Sequence, residues 1–460
     1  MKISRHYLTI KGPKSQRRVH YRKAGNGPVL LMVHQSPRSS AEYEDLMMMW
    51  GKHFTCIAPD TPGFGQSDPL PLPNPEIDDF ADAIVEFAEA AGIDSILGYG
   101  FHSGGIILVT AMKRYKEMFR GLAIGGYAIW NEAERVKLGP PYIPPNPPKA
   151  FGEHLTWLWN RILEQSWYFP WFEPIDANRM VNAHDDPARI DLIIREMLDS
   201  GDVYRLGYGA VLRGPRDIPP ADEITPPVRI TAYSGDPLKE HLERLGDMPQ
   251  GWEAYAVETP EDHHKASLEF LLKHSGIADS NTIEDEDCGF AEISTRAYHG
   301  LIHWQGRLGT AGIAVHAPGR EGALLEDNKA IRVDLPGHGL SSPWPGEAPT
   351  DWSSWQEVIE AIAVHFGTSE TCIEPAPVGD VERLFPDLTP DRFGSYLTRA
   401  WSIVRAQHIF APWYEASADN IIPIDQAKLT PESLAIEHRA LIRASAARAY
   451  AHALQNKGDN

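Results

Sequence analysis

Cysteine is scarce in this chain, basic charge is in deficit, and no apolar run is long enough to cross a bilayer. Cys56, Cys288 and Cys372 are the only thiols in 460 residues. Their wide spacing excludes a disulfide framework and a cysteine metal site, and it suits small buried hydrophobes in a reducing compartment. Lysine and arginine number 43 against 63 aspartates and glutamates, a formal charge of -20. Such a chain repels nucleic acid and anionic membrane unless its cations are gathered into a stripe. The densest basic run, Lys14 to Lys23, is interrupted by Ser15, Gln16 and Val19 and reads as the solvated face of an early hairpin. MKISRHYLTIKG at the amino terminus has no apolar core behind its charges, so no targeting or anchoring segment is expected. The expectation is a soluble cytoplasmic protein without nucleic-acid or membrane partners and without a cofactor.

What is present is an alternation. A strand closes at Val19-His20-Tyr21, and after the turn Gly25-Asn26-Gly27 the run PVLLMV (28–33) reads as a strand buried on both faces. Phe54 to Ala58 and Ser95 to Tyr99 read the same way, each ending in a glycine-bearing turn. Between them Phe80, Ile84, Phe87, Ala88 and Ala91 recur at helical spacing. Strands alternating with helices predict an α/β class with a mostly parallel sheet covered on both faces. At 460 residues the chain is too long for one core, so at least two units are expected.

HYRKAGNGPVLLMVHQSP, APDTPGFGQSD and RYKEMFRGLAI occur in that order. Together they resemble the early hairpin and oxyanion loop, the next strand and glycine turn, and the post-elbow helix and strand of the α/β-hydrolase superfamily. The resemblance is to its capped, epoxide-hydrolase-like and C–C-hydrolase-like members, and it covers residues 15 to 275. It implies a nucleophile on a sharp strand-to-helix turn flanked by small residues. Gly100 to Gly105, GFHSGG, offers two registers, one with His102 at the apex and one with Ser103. Backbone crowding favours His102, because the other register puts Phe101 where glycine is wanted. The interval to RYKEMFRGLAI agrees. An imidazole at the apex suits proton transfer or anion binding better than a lasting covalent intermediate.

The resemblance places further residues. Backbone N–H groups of Gln35 and Ser103 stand at the oxyanion-hole positions, with His34 and Ser36 beside them in the loop as candidates for substrate binding. His34 is expected to hold that loop by local hydrogen bonds. Asp236 follows the strand Val228 to Tyr233 and is the first choice of acid, with Glu132 as the alternative. The base is expected from Asp262-His263-His264-Lys265, a loop between the strand Trp252 to Val257 and the last helix, with His263 preferred to His264. A metal held by these histidines is not expected, because adjacent histidines point apart.

Roughly a hundred residues separate the post-elbow strand from the Asp236 strand, too many for a connection, so a cap domain is expected. It opens on the stiff proline-rich stretch 139–148 and continues into a crowd of aromatics. Trp130, Trp167 and Trp171 are candidates for the wall of the cleft, which implies a small apolar or aromatic substrate. The expected division is a core of 1–128 and 224–275, a helical cap of 129–223, an acidic linker of 276–290 and a second unit of 291–460. In that second unit GIAVHAPGR and IRVDLPGHGLSSP echo LLMVHQSPR and CIAPDTPGFGQSDP. It has no elbow after Cys372, and its carboxy-terminal part is expected to be helical from Ile436 to Leu454. A truncated sheet cannot cover both faces alone, so packing on the first unit or a homodimer through this half is expected. His338 is read as an ordinary turn residue. The functional expectation is a lyase or hydrolase acting on a C–C, C–O or activated ester bond through His102, Asp236 and His263. The alternatives are a serine esterase using Ser103 and a non-catalytic binding protein.

Overall fold

The run VLLMV from Val29 to Val33 is buried at every position, as a strand with neighbours on both edges and cover on both faces must be. In the computed structural model, which describes residues 1–11, 16–215, 217–276, 285, 287–310, 312–326 and 329–458, it lies inside an eight-stranded sheet. The strands are β1 (Ile3–Lys11), β2 (Gln16–Ala24), β3 (Val29–Val33), β4 (Thr55–Pro59), β5 (Ile96–Phe101), β6 (Phe119–Gly125), β7 (Val228–Tyr233) and β8 (Trp252–Val257). Their order is β1-β2-β4-β3-β5-β6-β7-β8, parallel from β4 onward, with β1, β2 and β4 paired antiparallel. The expected mostly parallel sheet is therefore present. The hairpin is longer than the short strand read from the sequence, and Lys14 and Ser15 of its basic run lie outside the described residues.

The helices in this part of the chain are α1 (Glu44–Trp50), α2 (Ile77–Ala90), α3 (Ser103–Arg114), α4 (Glu132–Lys137), α5 (Glu153–Trp167), α6 (Pro187–Ser200), α7 (Tyr204–Arg213) and α8 (Pro260–Lys273). Helix α2 starts at a capping box of Glu76 and Asp79 and buries Phe80, Ile84 and Phe87 in one core with Leu31, Val33 and Ile57 of the sheet. Each such side chain removed from water is worth about 1.5–3 kcal/mol.

The chain divides into Met1–Asn146 with Asn160–Glu284, and Pro147–Trp159 with Asp285–Asn460. The segment 147–159, expected in the cap, belongs to the second unit. Within that unit Trp159 Nε1 donates to Arg392 O at 3.1 Å and Trp401 Nε1 to Ala150 O at 3.2 Å. The expected linker lies largely outside the described residues, and Cys288 already opens a strand.

In the second unit β9 (Cys288–Ser294), β10 (His299–Gln305), β11 (Gly312–Val315), β12 (Ile331–Val333) and β13 (Glu370–Ile373) take the order β13-β11-β12-β10-β9. That is the arrangement of β5-β3-β4-β2-β1. Its helices are α9 (Trp352–His365), α10 (Val381–Leu384), α11 (Ser395–Gln407), α12 (Pro431–Arg443) and α13 (Ala447–Gln455). The single helix expected from Ile436 to Leu454 is broken at Ala444, whose backbone at φ -83°, ψ 62° leaves the helical region. His338 sits in its turn but is wholly buried against His316, Trp355 and Tyr450, so it is a core residue. Cys56 and Cys288 are buried and Cys372 is exposed, on the edge strand β13, where only Ile373 is partly covered by the core.

Candidate active site

Strand β5 ends at Phe101 and helix α3 begins at Ser103, so His102 alone turns the chain. Its backbone lies at φ 47°, ψ -113°, and among the described residues no other non-glycine has a positive φ. Strain of this kind costs about 1–3 kcal/mol and persists where the surroundings over-determine it. Here they do. A Cβ on Gly100 would meet Gly104 C and Gly105 N at 2.7 Å, and one on Gly104 would meet Val33 O at 1.9 Å. His102 N–H donates to Gly125 O at 2.7 Å, which pins the turn to the neighbouring strand. The apex is His102. Ser103 is the first helical residue, and its Oγ accepts from Ser36 N–H at 2.6 Å.

The imidazole reaches the acid directly. His102 Nε2 lies 3.1 and 3.2 Å from the two oxygens of Asp236, whose side chain is fully buried after β7. Gly126, at φ 57°, makes room for the pair, since a Cβ there would stand 2.6 Å from His102 Cδ2 and 2.8 Å from an Asp236 oxygen. Burial opposes ionisation of Asp236, but His102 beside it and the Leu238 N–H at 2.8 Å hold its carboxyl below the usual carboxylate range. An ionised acceptor fixes the proton on Nε2 and leaves the Nδ1 lone pair as the basic one. The ring of Phe101 stacks on the imidazole at 4.1 Å.

The expected pairing of Asp236 with a loop histidine is replaced by this dyad. His263 and His264 are not in a loop. Thr259 caps helix α8 in a capping box with Asp262, Pro260 takes its first turn, and both histidines fall inside the helix. His263 is wholly buried against the sheet, hydrogen-bonded to Thr231 Oγ1 at 2.6 Å and Tyr99 Oη at 2.9 Å. Burial, helped by the neighbouring His264, pushes its pKa down to about 3, so it is neutral. His264 packs edge-on to Trp50. Glu132, the alternative acid, is an exposed residue at the start of α4.

The oxyanion loop is also committed differently from expectation. Gln35 N–H donates to Glu42 at 3.0 Å, and its side-chain amide donates to the other Glu42 oxygen. Of the two expected oxyanion donors, Ser103 N–H remains, in the first turn of α3 where N–H groups have no intrahelical acceptor. His34 is buried, with Nε2 accepting from Thr61 N–H at 3.0 Å and Nδ1 against Gln35 O. It braces the loop and takes no part in the wall of the cavity over His102, which corrects its reading as a substrate-binding residue.

A cavity of about 240 Å³ opens over His102. Gln35, Ser36, Ser103 and Trp130 line it, as do Phe169, Met180 and Tyr208 from the cap. Trp167 and Trp171 stand outside its wall, because their indole N–H groups hold the cap together by donating to His184 O and Tyr142 O. Arg161, 1% exposed, backs the wall through Gln165 and lies over the rings of Tyr142, Trp171 and Tyr204. Among the described residues no group of three or more His, Cys, Asp or Glu side chains is arranged to hold a metal, and no helix is long and apolar enough to cross a membrane.

Residues 28–141 match a family model described as the alpha/beta hydrolase fold. Haloalkane dehalogenase 2 of Mycobacterium tuberculosis is 34% identical over 116 residues, 25% of this chain and 41% of that protein. The 2-(acetamidomethylene)succinate hydrolase of Mesorhizobium japonicum is 28% identical over 131 residues, 28% of this chain and 47% of that protein. The chain thus spans less than half the length of these curated relatives. Among solved structures, a thermophilic esterase from Thermogutta terrifontis aligns with a TM-score of 0.45 and 16% identity, covering 59% of this chain and 99% of that one.

Proposed function

We propose that the first unit, which carries the match to the alpha/beta hydrolase fold, is a hydrolase of small apolar or aromatic molecules, run by an acid–base dyad of His102 and Asp236. The observation that carries the reading is the hydrogen bond between an apical imidazole and a buried, ionised carboxyl at the floor of a capped cavity. With Nε2–H given to Asp236, Nδ1 takes a proton from water as the water oxygen adds to an activated acyl carbon. The imidazolium, stabilised by Asp236, then returns that proton to the leaving oxygen, giving an acid and an alcohol. The apolar wall of Phe169, Met180 and Tyr208 selects the substrate.

The Glu42 carboxyl on Gln35 N–H favours one variant of this reading. With that donor occupied, a full oxyanion is poorly served, so substrates that need only proton abstraction, cleaved by a lyase step, suit the same dyad.

The test is turnover of a panel of 4-nitrophenyl esters, with fluorophosphonate labelling alongside. His102→Asn should lose activity by about 10²-fold or more while Ser103→Ala retains it, because loss of acid–base help has that size. Fluorophosphonate should leave the intact mass of the protein unchanged. Stoichiometric labelling of Ser103 together with an inactive Ser103→Ala protein would restore the serine-esterase mechanism.

A further inference from the structure

The second unit repeats the first beyond its strand order. His303 Nδ1 meets Asp334 at 2.8 Å as His20 Nδ1 meets Asp60 at 2.8 Å, and His316 Nε2 accepts from Leu335 N–H as His34 does from Thr61 N–H. The cap hairpin is repeated bond for bond. Phe410 bridges Ile421 as Tyr168 bridges Arg179. Ala411 N–H donates to Asn420 O at 3.0 Å as Phe169 N–H donates to Asn178 O at 2.9 Å. Asn420 Nδ2 donates to Glu415 O at 3.0 Å as Asn178 Nδ2 does to Glu173 O at 2.9 Å.

The catalytic parts are the ones missing. Ile373 pairs with Val315 as Gly100 pairs with Val33, so Glu374 and Pro375 stand where Phe101 and His102 stand in the first unit. No counterpart of α3 follows among the described residues. The cavity under the repeated hairpin is nevertheless there, and at about 510 Å³ it is larger than the one over His102.

Its walls are Leu384, Phe385, Val404, Phe410, Trp413 and Leu441, with Arg320, Glu374 and Glu437 at the polar side. Arg320 is already paired with Glu374 Oε2 at 3.1 Å, and that same oxygen accepts Ala317 N–H at 2.9 Å. The other oxygen of Glu374 makes no hydrogen bond among the described residues. Both oxygens of Glu437 face His408 Nε2, at 3.0 and 3.1 Å. Two carboxyls against one committed guanidinium repel an anion. An ionised carboxyl accepts and does not donate, so the polar end calls for a donor. The apolar walls call for a ring or branched body.

We propose that this cavity is a non-catalytic binding site for a small uncharged aromatic or apolar molecule that donates one hydrogen bond, of which a phenol is the simplest. The repeat has kept the hairpin that shapes the cavity and lost the residues that would react with its occupant.

The probe is 4-iodophenol, whose iodine is located by anomalous scattering in crystals of the full chain and whose affinity is read in solution by equilibrium dialysis. The expected result is an iodine peak beside Phe410 and Trp413 with the phenol oxygen in hydrogen-bond reach of Glu374, whether or not the His102 cavity is also filled. Val378→Trp, at a rim position 90% exposed and so safe for folding, should weaken dialysis binding about tenfold by blocking the mouth and leave turnover at His102 unchanged. Iodine confined to the His102 cavity, no ordered iodine at all, or unaltered binding in V378W overturns the proposal.

Discussion

A histidine at φ 47° stores strain that a glycine in its place would relieve, and the fold holds it there by a bond to Gly125 O and by glycines on either side. That strain aims the imidazole at Asp236 with no third residue between them. Replacing Asp236 by Asn keeps the shape but removes the charge that fixes the proton on Nε2, so turnover should fall by about 10²-fold or more. On the proposed mechanism His102 and Asp236 act as one device, so the double variant Asp236→Asn with His102→Asn should be little worse than either single one. The measurement is kcat of the three folded variants on the ester that wild type turns over best, and losses that multiply would mean the two residues work separately. The apex and the acid were legible in GFHSGG and in SGD after a strand, but their pairing was not, since Asp236 was read as the partner of His263. The place of His263 was misread as a loop, although Thr259-Pro260-Glu261-Asp262 is a capping box with proline in the first turn, and a helix start there takes His263 off the loop. Glu42 reaching back to Gln35 and the clearance at Gly126 follow no local pattern and appear only with the chain folded.

At the scale of the element, the cap hairpin is the unit that shapes each cavity. Its two arms are held by the Asn178 amide on Glu173 O in one copy and the Asn420 amide on Glu415 O in the other. Removing either amide loses a hydrogen bond of about 0.5–1.5 kcal/mol and loosens the arms. Phe169 and Met180 lie on the first copy and line the His102 cavity, so Asn178→Ala should raise KM for the ester severalfold. Asn420→Ala, the same change in the second copy, should leave KM and kcat alone while lowering the melting temperature comparably. Steady-state kinetics and melting curves of the two variants decide it, and an equal rise of KM in both would contradict the separation of roles. The repeat carried a sequence signal that composition-based reading passes over, P-W-F-E at 170–173 against P-W-Y-E at 412–415, each followed within six residues by an asparagine. The aromatics read as wall candidates, Trp167 and Trp171, turned out to be the hairpin's fasteners, because an indole N–H near free carbonyls is satisfied before its ring is free to face a cleft.

Across the whole molecule, buried neutral histidines are a recurrent structural choice, and they tie stability to pH. His263, His338 and His438 are each pushed down to about 3 by burial. In the unfolded chain each returns to an ordinary value near 6.5, so below that pH the unfolded state binds protons that the native state refuses. Their contribution is fully present above about pH 6.5 and is lost progressively as pH falls from there towards 3. His338 offers the cleanest test, because its Nε2 is buried without a hydrogen-bond partner among the described residues and the first unit carries Phe64 at the corresponding turn position. His338→Phe removes one titrating group and one unpaired polar atom, a defect worth about 1–3 kcal/mol, against the loss of the Nδ1 contact with Pro336 O at 3.2 Å, worth about 0.5–1.5 kcal/mol. The melting temperature of the variant at pH 7 should equal or exceed that of wild type, and its fall between pH 7 and pH 5 should be smaller. Turnover at His102 should not change. Melting curves at the two pH values read both effects, and a variant that melts lower at pH 7 with an undiminished fall at pH 5 would show that the His338 imidazole is a satisfied member of the second core after all.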